Sequence, residues 1–116
     1  MSTTDEIERL CRWLRKKARE NDAPIWRRVA ELLNRPRRKR IAVNISRINR
    51  HTEEGDWVVV PGKVLGSGEM DHKINIAAFK FSEKAYRKLV ESGSRVMSIQ
   101  QLVEEKPTGS GVKIVT

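Results

Sequence analysis

Along residues 3 to 20 apolar positions recur at Ile7, Leu10, Cys11, Leu14 and Ala18, the spacing of one buried face of an α-helix. Thr3, with Glu6 three positions later, reads as a capping box at its start. Arg9, Arg12, Lys16 and Arg19 fall roughly opposite the stripe, so this helix buries one side and offers cations on the other. Trp13 lies outside the stripe, which suggests either a partner surface or packing against a neighbouring element. Asn21 to Pro24 interrupts the pattern, and a second helix is predicted from Asp22, with Pro24 tolerated in its first turn. Its apolar positions are Ile25, Val29, Leu32 and Leu33; Trp26 borders them, Arg28 flanks them and Arg27 points away.

The period then changes from helical to alternating. Ile41 to Ile45 is a strand candidate, and Trp57 to Val60 is a stronger one, bounded by the turn-prone Glu54-Gly55-Asp56 and Pro61-Gly62. Ile74 to Phe79 makes a third. Ser82 caps a predicted helix to about Ser92, with Phe81 and Tyr86 as a hydrophobic staple and Gly93 as the left-handed residue that closes it. A short strand at Arg95 to Met97, a helical turn capped by Ser98 with Gln101, the turn Pro107 to Gly111 and a last strand at Val112 to Val115 complete the chain. An apolar strand residue, a serine and helix-compatible residues recur at Ile45-Ser46-Arg47, Phe81-Ser82-Glu83 and Met97-Ser98-Ile99, where the serine hydroxyl would cap the next helix. Their uneven spacing excludes a regular solenoid. The pattern predicts a mixed α/β fold of irregular strand-strand-helix units, forming a superhelical core with N-terminal helices and a basic loop.

Charge sharpens this picture. Residues 1 to 50 carry 15 Lys and Arg against 6 Asp and Glu, whereas residues 51 to 116 carry 9 against 9. The excess peaks at Arg35-Pro36-Arg37-Arg38-Lys39-Arg40, where the proline excludes a continuing helix and predicts an extended or looped segment. A field concentrated in this way is aimed at an anionic partner, nucleic acid first. Within the 116 residues we expect one domain, divided into a basic helical part at 1–40 and a mixed core at 41–116. No apolar run approaches the roughly 18 residues of a membrane span, and the first residues are acidic and amphipathic without a secretory apolar region. One cysteine, Cys11, allows neither an intramolecular disulfide nor a cysteine-based metal site. An intracellular chain is expected, with no metal and no cofactor.

The glycine-rich stretch Pro61 to Lys73 fails the phosphate-loop spacing, because Trp57 stands where the first glycine belongs and Val64 follows Lys63. Gly66-Ser67-Gly68 fails the dinucleotide fingerprint at Asp71. The stretch reads as a polar loop that could lay Lys63, Ser67, His72 and Lys73 along a phosphate backbone, or as a flexible hairpin. His72 with Glu69 or Asp71 lacks a partnered nucleophile, and His51 reads as a surface histidine, so an enzyme and a small-molecule substrate are not expected. The basic hexapeptide is also compatible with nuclear import. No helix-turn-helix, zinc-finger, basic-zipper or aromatic RNA-recognition pattern is present, and a proline-broken arginine segment suits folded RNA better than DNA.

Val43 to Ile48, Val58 to Glu69 with Asp71-His72-Lys73, Ala77-Ala78-Phe79, Phe81-Ser82 and Glu104 to Val112 closely resemble one ribosomal family. It is the archaeal and eukaryotic protein eighteen of the large subunit, related to bacterial large-subunit protein fifteen. Met70 stands where that family leads one to expect leucine, and the short N-terminus resembles the archaeal form. The resemblance implies a cytoplasmic structural constituent of the large ribosomal subunit, bound to large-subunit rRNA and neighbouring ribosomal proteins. On charge and loop context the expected rRNA contacts are Arg12, Lys16, Arg27, Arg28, Arg35, Arg37, Arg38, Lys39, Arg40, Arg47, Arg50, Lys63, Ser67, His72 and Lys73. The alternative is a free nucleic-acid-binding protein of chromatin or transcription.

Overall fold

The structure, a computed structural model, describes residues 2–116. Helices α1 (Thr3–Glu20) and α2 (Pro24–Leu33) lead through a single 3₁₀ turn at Arg37–Lys39 into β1 (Ile41–Asn44) and α3 (Ile45–His51). There follow β2 (Trp57–Leu65), β3 (Asn75–Phe81), α4 (Glu83–Glu91), β4 (Arg95–Ser98), α5 (Ile99–Glu105) and β5 (Val112–Ile114). All strand pairs are parallel, in the order β1-β2-β3-β4, with β5 also on β2. Parallel neighbours need crossovers, and helices supply them except between β2 and β3, where a nine-residue irregular loop serves. The class is the mixed one that the sequence predicts. Its local unit is a strand followed by a helix.

A parallel sheet is covered on both faces, so its central strand reads as an unbroken apolar run. Val59 faces a core of Ile7, Leu10, Cys11 and Leu14 from α1, Trp26 and Val29 from α2 and Leu102 from α5. Val58 and Val60 face the other way, onto Ile45 and Ile48 of α3 and Ala85 and Leu89 of α4. Cys11 belongs to the first core, where its thiol donates to Ala30 O at 3.4 Å and burial raises its pKa. Trp26 is fully buried rather than bordering its stripe, because the turn before β5 folds over α2 and Pro107 O accepts the indole N–H at 2.8 Å. Trp13 is half-buried against the same core, with Lys17 Nζ 5.6 Å from its ring.

Strand β2 runs through Pro61-Gly62 instead of ending there. One edge of β2 is shared end to end: Trp57, Val58 and Val59 pair with β5, and Gly62 to Leu65 pair with β1. On the other edge the register against β3 shifts between Val60 and Lys63, a bulge. Pro61 therefore sits where the ladder is interrupted, the place in a sheet where a missing N–H costs least. Gly62 is fixed by crowding, since a Cβ there would lie 2.1 Å from Ile41 O. Strand-like sequence and turn-like residues coexist in this strand, which hides its second half from local reading.

The caps divide similarly. Ser82 and Ser98 accept from Ala85 N and Gln101 N as expected, and Gly93 closes α4 with φ +87. The first cap is Ser2, which accepts from Asp5 N at 3.3 Å, so Thr3 is already helical and forms no capping box. Ala23, not Asp22, precedes α2, and Asp22 takes φ 49 in the turn. Helix α3 begins one residue before the expected serine, after Asn44, whose side chain is used elsewhere. Tyr86 remains 53% exposed, too open to act as the buried half of a staple.

Candidate nucleic-acid interface

Asn34 ends α2, and Pro36 prevents its continuation; the chain then makes one turn in which Lys39 N donates to Pro36 O at 2.8 Å and Arg40 N to Arg37 O at 3.3 Å. Arg35, Arg37, Arg38 and Lys39 are all exposed, and among the described residues none has an ion-pair partner. The segment is tied down at both ends, by α2 packed in the core and by β1 in the sheet. Arg40 differs from its neighbours: it is half-buried, its Nη2 lies 3.3 Å from Thr4 Oγ1, and its buried Nε has no hydrogen-bond partner among the described residues. Like charges at this density raise the energy of the free chain and lower that of a complex with a polyanion.

The cations of the helices form a looser set. Arg12 and Arg27 are exposed and have no ion-pair partner among the described residues, whereas Lys16 lies 3.9 Å from Glu20 and Arg28 3.2 Å from Glu31. Exposed pairs of this kind are worth under about 1 kcal/mol, so both cations remain available to a stronger anion. On α3, Arg50 is exposed, while Arg47 donates from Nε to Thr116 O at 2.7 Å and so also holds Thr116 in place.

The four loop residues do not lie along one line. Lys63 is exposed on β2, in register with Lys80 of β3. Lys73 precedes β3, and its carbonyl accepts from Gly55 N at the opposite end of the sheet. Ser67 ties the loop down through its backbone, donating to Asn44 Oδ1 at 3.3 Å and accepting from Ser46 N at 3.0 Å. His72 departs most from expectation. Its side chain is only 15% exposed, with Nε2 2.7 Å from Thr52 Oγ1 and Nδ1 2.7 Å from Asp71 Oδ1. Thr52 in turn donates to Ile48 O, so His72 pins the loop to α3. Hydrogen bonds from His72 and then Asn49 hold the Asp71 carboxyl below its ordinary pKa.

Lys88 completes the loop. From α4 its ammonium donates to Gly66 O at 2.9 Å and to Gly68 O, and it lies 3.3 Å from Glu69. The glycine loop is thus a cross-braced connection in place of a helix, and not a hairpin, because β2 and β3 run parallel. Lys80, Lys88, Asn44 and Asn49 were not legible as functional positions, because each acts through a neighbour far away in sequence.

Arg37, Arg40, Lys63 and Lys80 line one hollow of about 650 Å³, with Ser2, Thr3 and Thr4 at the start of α1. No group of His, Cys, Asp and Glu among the described residues could hold a metal ion. Among the described residues no helix is long and apolar enough to cross a membrane.

The family model for ribosomal protein 60S L18 and 50S L18e matches residues 2–116. Large ribosomal subunit protein eL18 of Pyrobaculum aerophilum is 51% identical over 113 residues, 97% of this chain and 93% of its own length. The proteins of the same name from Methanothermobacter thermautotrophicus and Methanoregula boonei are 45% and 43% identical, with the same coverage. Since the match runs through the basic segment, the irregular central strand and the braced loop alike, the chain belongs to the family of ribosomal protein 60S L18 and 50S L18e.

Proposed function

We propose that the chain is a structural constituent of the large ribosomal subunit that clamps folded large-subunit rRNA through its basic segment and adjoining cations. The observation that carries this reading is a run of exposed, acid-free arginines held between α2 and β1 in a member of a ribosomal family. Arg35, Arg37, Arg38 and Lys39 supply the field. Arg12, Lys16, Arg27, Arg28, Arg47, Arg50, Lys63, Ser67 and Lys73 extend it, and His72, with its ring nitrogens against Thr52 and Asp71, holds the loop that presents them. The guanidinium fork can hold two phosphate oxygens at once, which suits sites where RNA strands approach each other. Residues 41–116 act as the scaffold that fixes these cations relative to one another. The work is electrostatic and architectural rather than catalytic, performed in the cytoplasm on the ribosome beside neighbouring ribosomal proteins.

The test is binding of the full chain to P. aerophilum large-subunit rRNA over a salt series. Replacing Arg37 and Arg38 by Glu lowers affinity and flattens the dependence of log K on log salt by about 1.5, the share of two phosphates. An unchanged slope would remove the clamp. Co-sedimentation with large subunits through moderate salt distinguishes this role from that of a free chromatin or transcription protein, which would follow DNA.

A further inference from the structure

The hollow beside the basic segment has two kinds of wall. Its floor is apolar, made by Ile7, Leu33, Ile41 and Pro61 with the half-buried Phe79; its rim carries Arg37, Arg40, Lys63 and Lys80. No carboxylate lines it. Lys63 and Lys80 are register partners on adjacent strands, an arrangement of like charges that weakens a sheet unless an anion lies between them. Arg40 adds a buried Nε with no hydrogen-bond partner among the described residues. A bare phosphate would satisfy the rim and leave the floor wet, and an apolar peptide would satisfy the floor and strand the cations. A nucleotide has a flat apolar body and an anionic end, and about 650 Å³ falls within the range of small-molecule sites.

We propose that this hollow receives one unstacked nucleotide of the bound rRNA, its base over Phe79 and the apolar floor and its phosphates between Lys63, Lys80 and Arg40. The inference rests on the rRNA-binding reading above. Lys80 Nζ now lies 5.7 Å from the Phe79 ring, an exposed contact that a phosphate readily outcompetes. Single-stranded or bulged positions are the ones RNA can present this way, since their bases are free to swing out and stack on an aromatic side chain.

The experiment fills the hollow without changing charge. Ala42 is exposed on β1 and lines it, so Ala42→Trp in the full chain puts an indole where the base would lie. With P. aerophilum large-subunit rRNA, Ala42→Trp lowers affinity at least tenfold at an unchanged salt slope, while Lys63→Gln with Lys80→Gln lowers affinity and flattens the slope. Wild-type affinity for folded Ala42→Trp overturns the proposal and leaves the rRNA clamp standing; absence of rRNA binding by the wild type overturns both. Should Ala42→Trp fail to fold, ultraviolet crosslinking of the wild-type complex decides: a single nucleotide on a peptide containing Phe79 is expected, and its absence overturns the proposal. Saturable micromolar binding of AMP, GMP, CMP or UMP by the free chain would assign the hollow to a free nucleotide instead and overturn the RNA assignment.

Discussion

Gly62 shows how far one missing atom can reach. A Cβ there would meet Ile41 O at 2.1 Å and Ile41 C at 2.8 Å, both backbone atoms that no rotamer change can move aside. Gly62→Ala therefore pushes β1 off β2, and we expect a loss of about 3 kcal/mol in denaturant unfolding. Lys88 is the corresponding case among side chains. Lys88→Met keeps the aliphatic stem but leaves Gly66 O and Gly68 O without their donor, for a loss of about 1–3 kcal/mol and faster amide exchange at Ser67. Ser82 and Ser98 were readable as caps because a cap bonds within three residues of itself. Asn44, Lys88 and His72 were not, because their partners lie 20 or more residues away. Trp26 was misplaced for the same reason, its cover coming from Pro107.

At the scale of elements, periodicity located α1 and α2 and serine caps located α4 and α5, whereas α3, seven residues long, was marked only by Ser46 and starts one residue before it. The hydrophobic run of β2 was legible; its continuation through Pro61-Gly62 was not, because those residues signal a turn wherever the partner strands are unknown. The start of β2 is fastened to β5 by Asp56, which accepts from Lys113 Nζ and from Glu53 N, both at 2.8 Å. These bonds, that of Lys113 foremost, hold the Asp56 pKa below its ordinary value of 3.8. A carboxyl depressed in the folded state stabilises at pH above its unfolded value, and that contribution disappears as pH falls through the folded value. Asp56→Asn should therefore flatten the acid side of the stability profile below about pH 5, by under about 1 kcal/mol, in thermal melts at stepped pH.

For the whole molecule, net charge located the end proposed to face RNA, and the resemblance in the central block supplied the family. Neither exposed the hollow, which exists only because the β2 bulge puts Lys63 beside Lys80 while α1 brings its first turn across to them. A sequence displays cations one at a time; topology decides which of them share an anion. The same topology withdrew His72 from the surface and sent Lys73 to the far end of the sheet. What was legible was the sign of the proposed partner, and what was hidden was the shape offered to it.

The shared edge of β2 also sets how the protein can come apart. Because β1 and β5 meet β2 on either side of Pro61, no ladder bond joins the two stretches, and unzipping of one has no register through which to spread into the other. In the RNA-free protein, amides of Ile41–Asn44 should exchange on their own schedule, faster than those of Trp57–Val59 and coupled to the arginine segment. The mount for the cations can then yield to an incoming RNA while the centre of the sheet stays closed, so docking would proceed as a local adjustment in an already folded chain.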